Sequence, residues 1–275
     1  MAKEHTILIT GCSAHGLGAV LALTLARQGH HVFVTARDTA KIPSELSSLA
    51  NVSVLRLDVS SVESVAEAAR AVEDAGHGLD VLVNNAGFGY TMPMLDIDIG
   101  KAQDLYNANV WGTVRTVQAF AGLLVKSKGR VVNVSSVGAV VNTPWIGTYA
   151  SSKAAVNAIS ETLRLELSPF GVSVVTIMLG TVATPFHANE PTPDLPATSY
   201  YSAILDTITK WAKGQAGPKG GPVQDVVDSM IPDIVAEGRN GVVWRGANST
   251  AVWFGSRWLP GRMLASWTLD FLIGY

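Results

Sequence analysis

Thr10-Gly11-Cys12-Ser13-Ala14-His15-Gly16-Leu17-Gly18 stands between an apolar run at Thr6–Thr10 and a helical pattern over Ala19–Gln28. An apolar run, a glycine turn and a helix in that order open a β-α-β unit, and this decides the fold. Glycines at such a turn admit a tight bend and let backbone N–H groups approach a phosphate at the helix N-terminus. Taken alone the turn is ambiguous, because Gly-rich connections also join strands to helices with no ligand. Outward from it the alternation continues. Runs at His31–Thr35, Val52–Arg56, Val81–Asn84, Arg130–Val134, Val172–Met178 and Gly241–Trp244 read as strands. Most are continuously apolar, as expected of strands covered by helices on both faces. Helical patterns fill the gaps at Val62–Ala75, Ala102–Lys126, Tyr149–Leu167, Thr198–Lys213 and Val223–Glu237. The pattern predicts one α/β domain over residues 1–275, a Rossmann-type doubly wound parallel sheet of about seven strands with helices on both faces.

The net charge of −2 gives no attraction to nucleic acid. Charged residues make up 15% of the chain and hydrophobic ones 48%. That apolar excess is expected in an oligomer interface, an apolar pocket or a membrane-facing patch. The single cysteine, Cys12, cannot form an internal disulfide and suits a reducing compartment. No signal-peptide core opens the chain, and no uncharged apolar run reaches the roughly 20 residues that span a bilayer. The chain therefore reads as cytoplasmic, or as peripheral on the cytosolic face of a membrane. Its tail, 251–275, is apolar and aromatic. After Pro260 a helix is predicted, with Met263, Leu264, Trp267, Phe271 and Leu272 on one face. That face reads either as a wall of the protein's own pocket or a subunit contact, or as a shallow membrane contact.

Two further features bear on the glycine turn. The second strand ends in Thr35-Ala36-Arg37 and the third in Leu57-Asp58-Val59-Ser60. In dinucleotide folds an acid at the end of the second strand binds the ribose hydroxyls and rejects a 2′-phosphate. Here Ala36 is neutral and Arg37 follows it, which suits a phosphate and points to NADP(H). His15 and Lys41 are further candidates for that site, although His15 reads equally as an exposed loop histidine and Lys41 as a surface lysine.

Ser136 follows the fifth strand, Tyr149 comes thirteen positions later, and Lys153 four after that. On a helix, positions i and i+4 share a face. A free phenol ionises near 10 and is a poor acid or base at neutrality. One positive charge about 4 Å away, at an effective dielectric near 20, is worth roughly 4 kcal/mol. That would carry the phenol about three units down, to near 7. A serine hydroxyl beside it would hold the substrate oxygen.

With these residues the chain resembles the short-chain dehydrogenase/reductases. The matching set is Thr10-Gly11, Gly16-Leu17-Gly18, Asp58, Asn84-Asn85-Ala86-Gly87, Asn109, Ser136, Tyr149-Ala150-Ser151-Ser152-Lys153 and Gly180-Thr181-Val182-Ala183-Thr184. The resemblance implies Tyr149 as general acid/base and Lys153 on the nicotinamide ribose, lowering the tyrosine's ionisation. It implies Ser136 polarising the carbonyl and Asn109 anchoring a water relay behind Lys153. Gly11, Ser13, His15, Gly16, Leu17, Arg37, Lys41, Asp58, Val59, Asn85, Gly87, Tyr149, Lys153, Val182 and Thr184 would line the cofactor; no metal ligands are read. The chain departs from the usual pattern twice. Four residues, not three, separate Gly11 from Gly16, and Leu179 stands where proline usually precedes the glycine. The first departure resembles a mainly fungal branch that contains NADPH-dependent 1-acyldihydroxyacetone-phosphate reductases, as do Gly241–Asn248 and Trp258-Leu259-Pro260.

The function so implied is NADPH-dependent reduction of a ketone or aldehyde on an apolar substrate, by a homodimer or homotetramer packed through the 102–126 and 149–167 helices. The pocket is expected from Thr91–Leu95, Gly138–Trp145 and a lid at 185–225. Val140, Val141, Pro144, Trp145, Phe186 and Tyr200 would favour a bulky substrate, although each reads equally as core. The alternative is a redox-neutral isomerase or cyclase, or a cofactor-shaped binding protein, on the same scaffold.

Overall fold

The computed structural model describes residues 3–260 and Met263. Seven strands form one parallel sheet: β1 (Thr6–Ile9), β2 (His31–Ala36), β3 (Val52–Arg56), β4 (Val81–Asn84), β5 (Arg130–Val134), β6 (Ser173–Leu179) and β7 (Gly241–Arg245). Their spatial order is β3-β2-β1-β4-β5-β6-β7. The chain runs outward from β1 to β3, then jumps back to β4 beside β1. A crevice must open where the connections diverge, at the carboxyl ends of β1 and β4. The helices are α1 (Leu17–Arg27), α2 (Ser44–Ser47), α3 (Val62–Asp74), α4 (Ile99–Tyr106), α5 (Gly112–Ser127), α6 (Gly147–Leu167), α7 (Leu205–Ala212), α8 (Val223–Val235) and α9 (Ser249–Trp258).

Side-chain alternation explains why the strands are apolar throughout. Ile7 and Ile9 of β1 and Val81 and Val83 of β4 pack with α1 and α8, while Leu8 and Leu82 pack with α3 and α5 on the opposite face. Both faces are dry, as expected.

Several elements differ from the sequence reading beyond small shifts at their ends. The predicted helix Ala102–Lys126 is two helices joined by a π-helical turn at Asn107–Trp111. One wide turn rotates the residues around it, and a buried asparagine (Asn109, below) has partners to hold it there. The helix predicted at Thr198–Lys213 shortens to α7 behind a 3-10 turn at Ser202–Ile204. The helix predicted to reach Glu237 ends at Val235, because Ala236 is extended. Short helix α2 and helix α9 were not anticipated. Helix α9 buries Val252 and exposes Trp253, Phe254 and Trp258. The helix predicted after Pro260 lies outside the described residues, apart from exposed Met263. Among the described residues no helix is long and apolar enough to cross a membrane.

Histidines gather at the end of the sheet away from the crevice. His31 stacks on His77 at 4.1 Å and His5 lies 5.5 Å from His30. Burial, first of all, lowers the ionisation of His5, His30 and His31. The unfolded chain takes up these protons near 6.5 while the folded imidazoles still refuse them. Their contribution to stability is therefore complete above about 6.5 and is lost as pH falls from there. The urea midpoint should drop between pH 7.5 and pH 5, and His31→Gln should make that drop shallower.

Candidate active site

The glycine turn lies at the crevice. Gly11 has φ +76°, a conformation that side chains rarely adopt. A Cβ on Gly18 would sit 2.6 Å from both the Gly11 carbonyl and Asn85 Nδ2, so helix α1 could not start this close to the turn with any larger residue. Asn85 proves to be a fastener. Its Nδ2 donates to the Thr10 and Gly11 carbonyls at 2.8 and 3.1 Å, while Thr10 Oγ1 accepts from the Asn85 and Ala86 amides. Gly16 caps α1 with no side-chain bond, which leaves the first N–H groups of the helix open to an anion. Ser13 and His15 are exposed on the turn, whereas Leu17 is buried and offers the crevice only its backbone.

Arg37 and Lys41 are exposed beyond β2, and Lys41 accepts the Ala14 amide through its carbonyl. Burial alone would raise the Asp58 carboxyl. The Ser60 hydroxyl and amide, helped by Arg37 and Arg56, outweigh it and hold the acid below its usual range. Val59 is buried beneath Gly112, where a Cβ would lie 2.8 Å from it. Val182 packs on the α1/α8 side of the core and pairs with Gly221, and Thr184 opens the 3-10 turn Pro185–Asn189.

The second group of residues converges past β4 and β5. The π-turn points Asn109 inward. Its Nδ2 donates to the Phe88 carbonyl at 3.0 Å and to Ser152 Oγ at 3.2 Å, and its Oδ1 accepts the Phe88 amide at 3.1 Å. Gly87 lies in the gap: a Cβ there would be 2.9 Å from Asn109 Oδ1 and 3.6 Å from Lys153 Nζ. Lys153 is 6% exposed, and its ammonium donates to the Val134 carbonyl at 2.9 Å. No carboxylate pairs with it among the described residues. Burial pushes it down to about 8. Ser136 Oγ accepts the Gly138 amide, and Ser136 and Tyr149 flank Gly138.

The expectation of a near-neutral phenol is not met. Burial pushes Tyr149 up to about 12, against the pull of its Ser136 hydrogen bond and with a further push from the Glu190 carboxylate. The i,i+4 spacing does place Lys153 beside Tyr149, but its ammonium reaches toward Val134 and lies 5.9 Å from the ring centroid. Desolvation acts on both groups at once and outweighs that distant charge.

On the substrate side, Trp145 and Val141 are core rather than free wall, with Trp145 edge-on to Trp211 at 6.2 Å. Tyr200 is 91% exposed. Of the six residues expected to shape the pocket, Phe186 meets Tyr149 edge-on, at 5.7 Å between centroids. Sequence reasoning expected Thr91 at the pocket and gave no individual role to Ser152, Phe88 or Glu190. Ser152 sat inside a quoted motif. Phe88 and Glu190 carry no periodic signal.

A profile of the short chain dehydrogenase family matches residues 5–194. The chain is 41% identical over 263 residues to the "Short-chain dehydrogenase cctT" of Talaromyces islandicus, covering 94% of this chain and 92% of that one. It is 33% identical to the "NADPH-dependent 1-acyldihydroxyacetone phosphate reductase" of Schizosaccharomyces pombe, covering 96% and 90%. A solved short chain dehydrogenase from Burkholderia cenocepacia, in complex with NADP, is 25% identical and superposes with a TM-score of 0.76 over 97% of this chain and 98% of that one.

Proposed function

The chain belongs to the short-chain dehydrogenase/reductase family of oxidoreductases, and on that premise we propose that it uses NADPH to reduce a ketone or aldehyde on an apolar substrate, with Tyr149 as the proton donor. The observation that carries this reading is Lys153. A buried ammonium with one carbonyl partner keeps N–H groups to spare, and a site built this way calls for hydroxyl acceptors. The ribose of a nicotinamide cofactor offers them, and the open N-terminus of α1 suits its pyrophosphate. Bound there, the cofactor supplies the hydride.

The side chains supply everything else. Ser136 Oγ holds the substrate oxygen and Tyr149 Oη passes its proton to that oxygen, leaving a phenolate. Lys153 then stabilises the phenolate, which regains its proton from solvent through the Asn109 and Ser152 side of the site. A phenol that burial holds at about 12 arrives with its proton in place, as a donor must. The segment 185–225 serves as the lid, α5 and α6 as the face toward a second subunit, and the apolar tail 251–275 as a wall of the pocket or a subunit contact, or else as a peripheral membrane contact. Loss of NADPH absorbance with a panel of apolar ketones and aldehydes, acyl-dihydroxyacetone phosphate among them, tests the reading. One alcohol formed per NADPH consumed is expected. Turnover of the true substrate without NADPH loss would mean a redox-neutral reaction.

Cofactor choice follows from the end of β2. Ala36 leaves no carboxylate for the ribose hydroxyls, and exposed Arg37 is free to face a 2′-phosphate. NADPH should bind tighter than NADH. Arg37→Ala should narrow the gap by about ten- to a hundredfold, toward the lower end because the arginine is exposed. Equal affinity for both cofactors in the unmodified protein would sink this assignment.

A further inference from the structure

Glu190 is a buried carboxylate that no step above uses. Its side chain is 3% exposed and follows the 3-10 turn Pro185–Asn189. Thr91 Oγ1 donates to one oxygen at 2.7 Å, and His187 Nδ1 meets the other at 2.7 Å. Among the described residues no lysine or arginine pairs with it. The carboxylate rests on Gly89, where a Cβ would lie 2.5 Å from Glu190 Oε1 and 3.1 Å from Phe186 Cε1. Acid and phenyl ring therefore meet above the same glycine, and that ring is the one edge-on to Tyr149. A buried carboxylate whose one neighbouring cation is an imidazole, charged only when protonated, is costly, and a neutral side chain of the same shape would seat the turn as well. The charge itself asks for a role.

We propose that Glu190 is a positioning residue for Tyr149: anchored by Thr91, His187 and Gly89, it seats Phe186 against the phenol and keeps that phenol in its proton-donating form. This rests on the reading of Tyr149 as donor. The groups around the phenol are Lys153 on its own helix, Ser136 after β5, His187 and Glu190 on the 185–190 turn, and Tyr90 and Tyr106, which share its apolar cluster. Burial, above all, and the negative charge of Glu190 hold the phenol neutral, while the Ser136 hydroxyl favours the phenolate. His187 meets Glu190 and, when protonated, weakens the carboxylate's effect. Reduction draws on the protonated phenol and alcohol oxidation on the phenolate. Glu190 therefore moves the pH limits of both directions upward together and leaves the overall equilibrium untouched.

Glu190→Gln keeps the shape, accepts from Thr91 and faces His187 without charge. Phenolate absorbance in the near ultraviolet is titrated in NADP⁺-loaded protein, with and without Glu190→Gln, and the matching Tyr149→Phe curve is subtracted from each. The Tyr149 inflection should fall by about one pH unit on loss of the carboxylate. An unchanged inflection in a protein of normal melting temperature overturns the proposal. Should Glu190→Gln not fold, Thr91→Val releases the carboxylate from its anchor. The same downward shift is then expected, and the same unchanged inflection overturns the proposal. The titration needs no substrate. Failure of the donor reading would show separately, as normal turnover in Tyr149→Phe.

Discussion

Tyr149→Phe should keep its fold and its NADP(H) affinity while turnover falls by about 10²–10⁴-fold. The substitution removes one hydroxyl and nothing else. The ring is held by Phe186 and by the apolar cluster of Tyr90, Met92 and Leu105, contacts a phenyl ring makes equally well. Ser136 loses a hydrogen-bond partner but keeps the Gly138 amide, so no buried hydroxyl is stranded. The reaction loses its proton source at the moment the substrate oxygen gains charge. Single-turnover oxidation of bound NADPH isolates that step, and a melting curve with a cofactor titration checks the rest. A near-normal single-turnover rate would move the proton donor elsewhere.

What the chain discloses by itself depends on whether the physics is local. The sheet was legible because strands such as Ile7-Leu8-Ile9 and Val81-Leu82-Val83 are apolar at every position, a pattern that a parallel sheet covered on both faces requires. The π-turn at Asn107–Trp111 was not. Asn107-Ala108-Asn109-Val110-Trp111 contains no helix breaker, and the wide turn is fixed by tertiary bonds from Asn109 to Phe88 and Ser152. The meeting of Tyr149 and Lys153 was foreseeable from spacing, and Ser136 beside them from the family resemblance, but the state of the phenol was not. Spacing says which face a side chain shares and does not say how dry that face is. Glu190 lay in a proline-rich stretch with no period, where only the folded chain shows that its carboxylate reaches Thr91 across the crevice. Trp145 was left open between pocket wall and core because an aromatic in a loop reads the same whether it faces a ligand or, as here, Trp211 and Ile208.

Lys153→Met should cost both cofactor affinity and turnover, the latter by about 10²-fold or more, while leaving the protein as stable as before or more so. Methionine fills the lysine stem's volume and removes a buried charge whose only hydrogen-bond partner among the described residues is the Val134 carbonyl. Leaving that carbonyl without a donor costs about 1 kcal/mol, and relief of the buried charge offsets it. The pH dependence separates this role from a merely structural one. Burial holds the free lysine at about 8, so its ammonium is present below that pH and disappears above it. Cofactor affinity that draws on the ammonium should be complete below about 8 and fall as pH rises through it, and binding near pH 8.5 should take up a proton. Stability of the free protein moves the opposite way. Between about 8 and the unfolded value near 10.4 the unfolded chain holds the extra proton, so this group's contribution to stability rises with pH. Calorimetric titration of NADP⁺ in two buffers of different ionisation enthalpy reads the proton uptake directly, and Lys153→Met should abolish it. Binding that is independent of pH across 7–9.5 in the unmodified protein would remove Lys153 from the cofactor site.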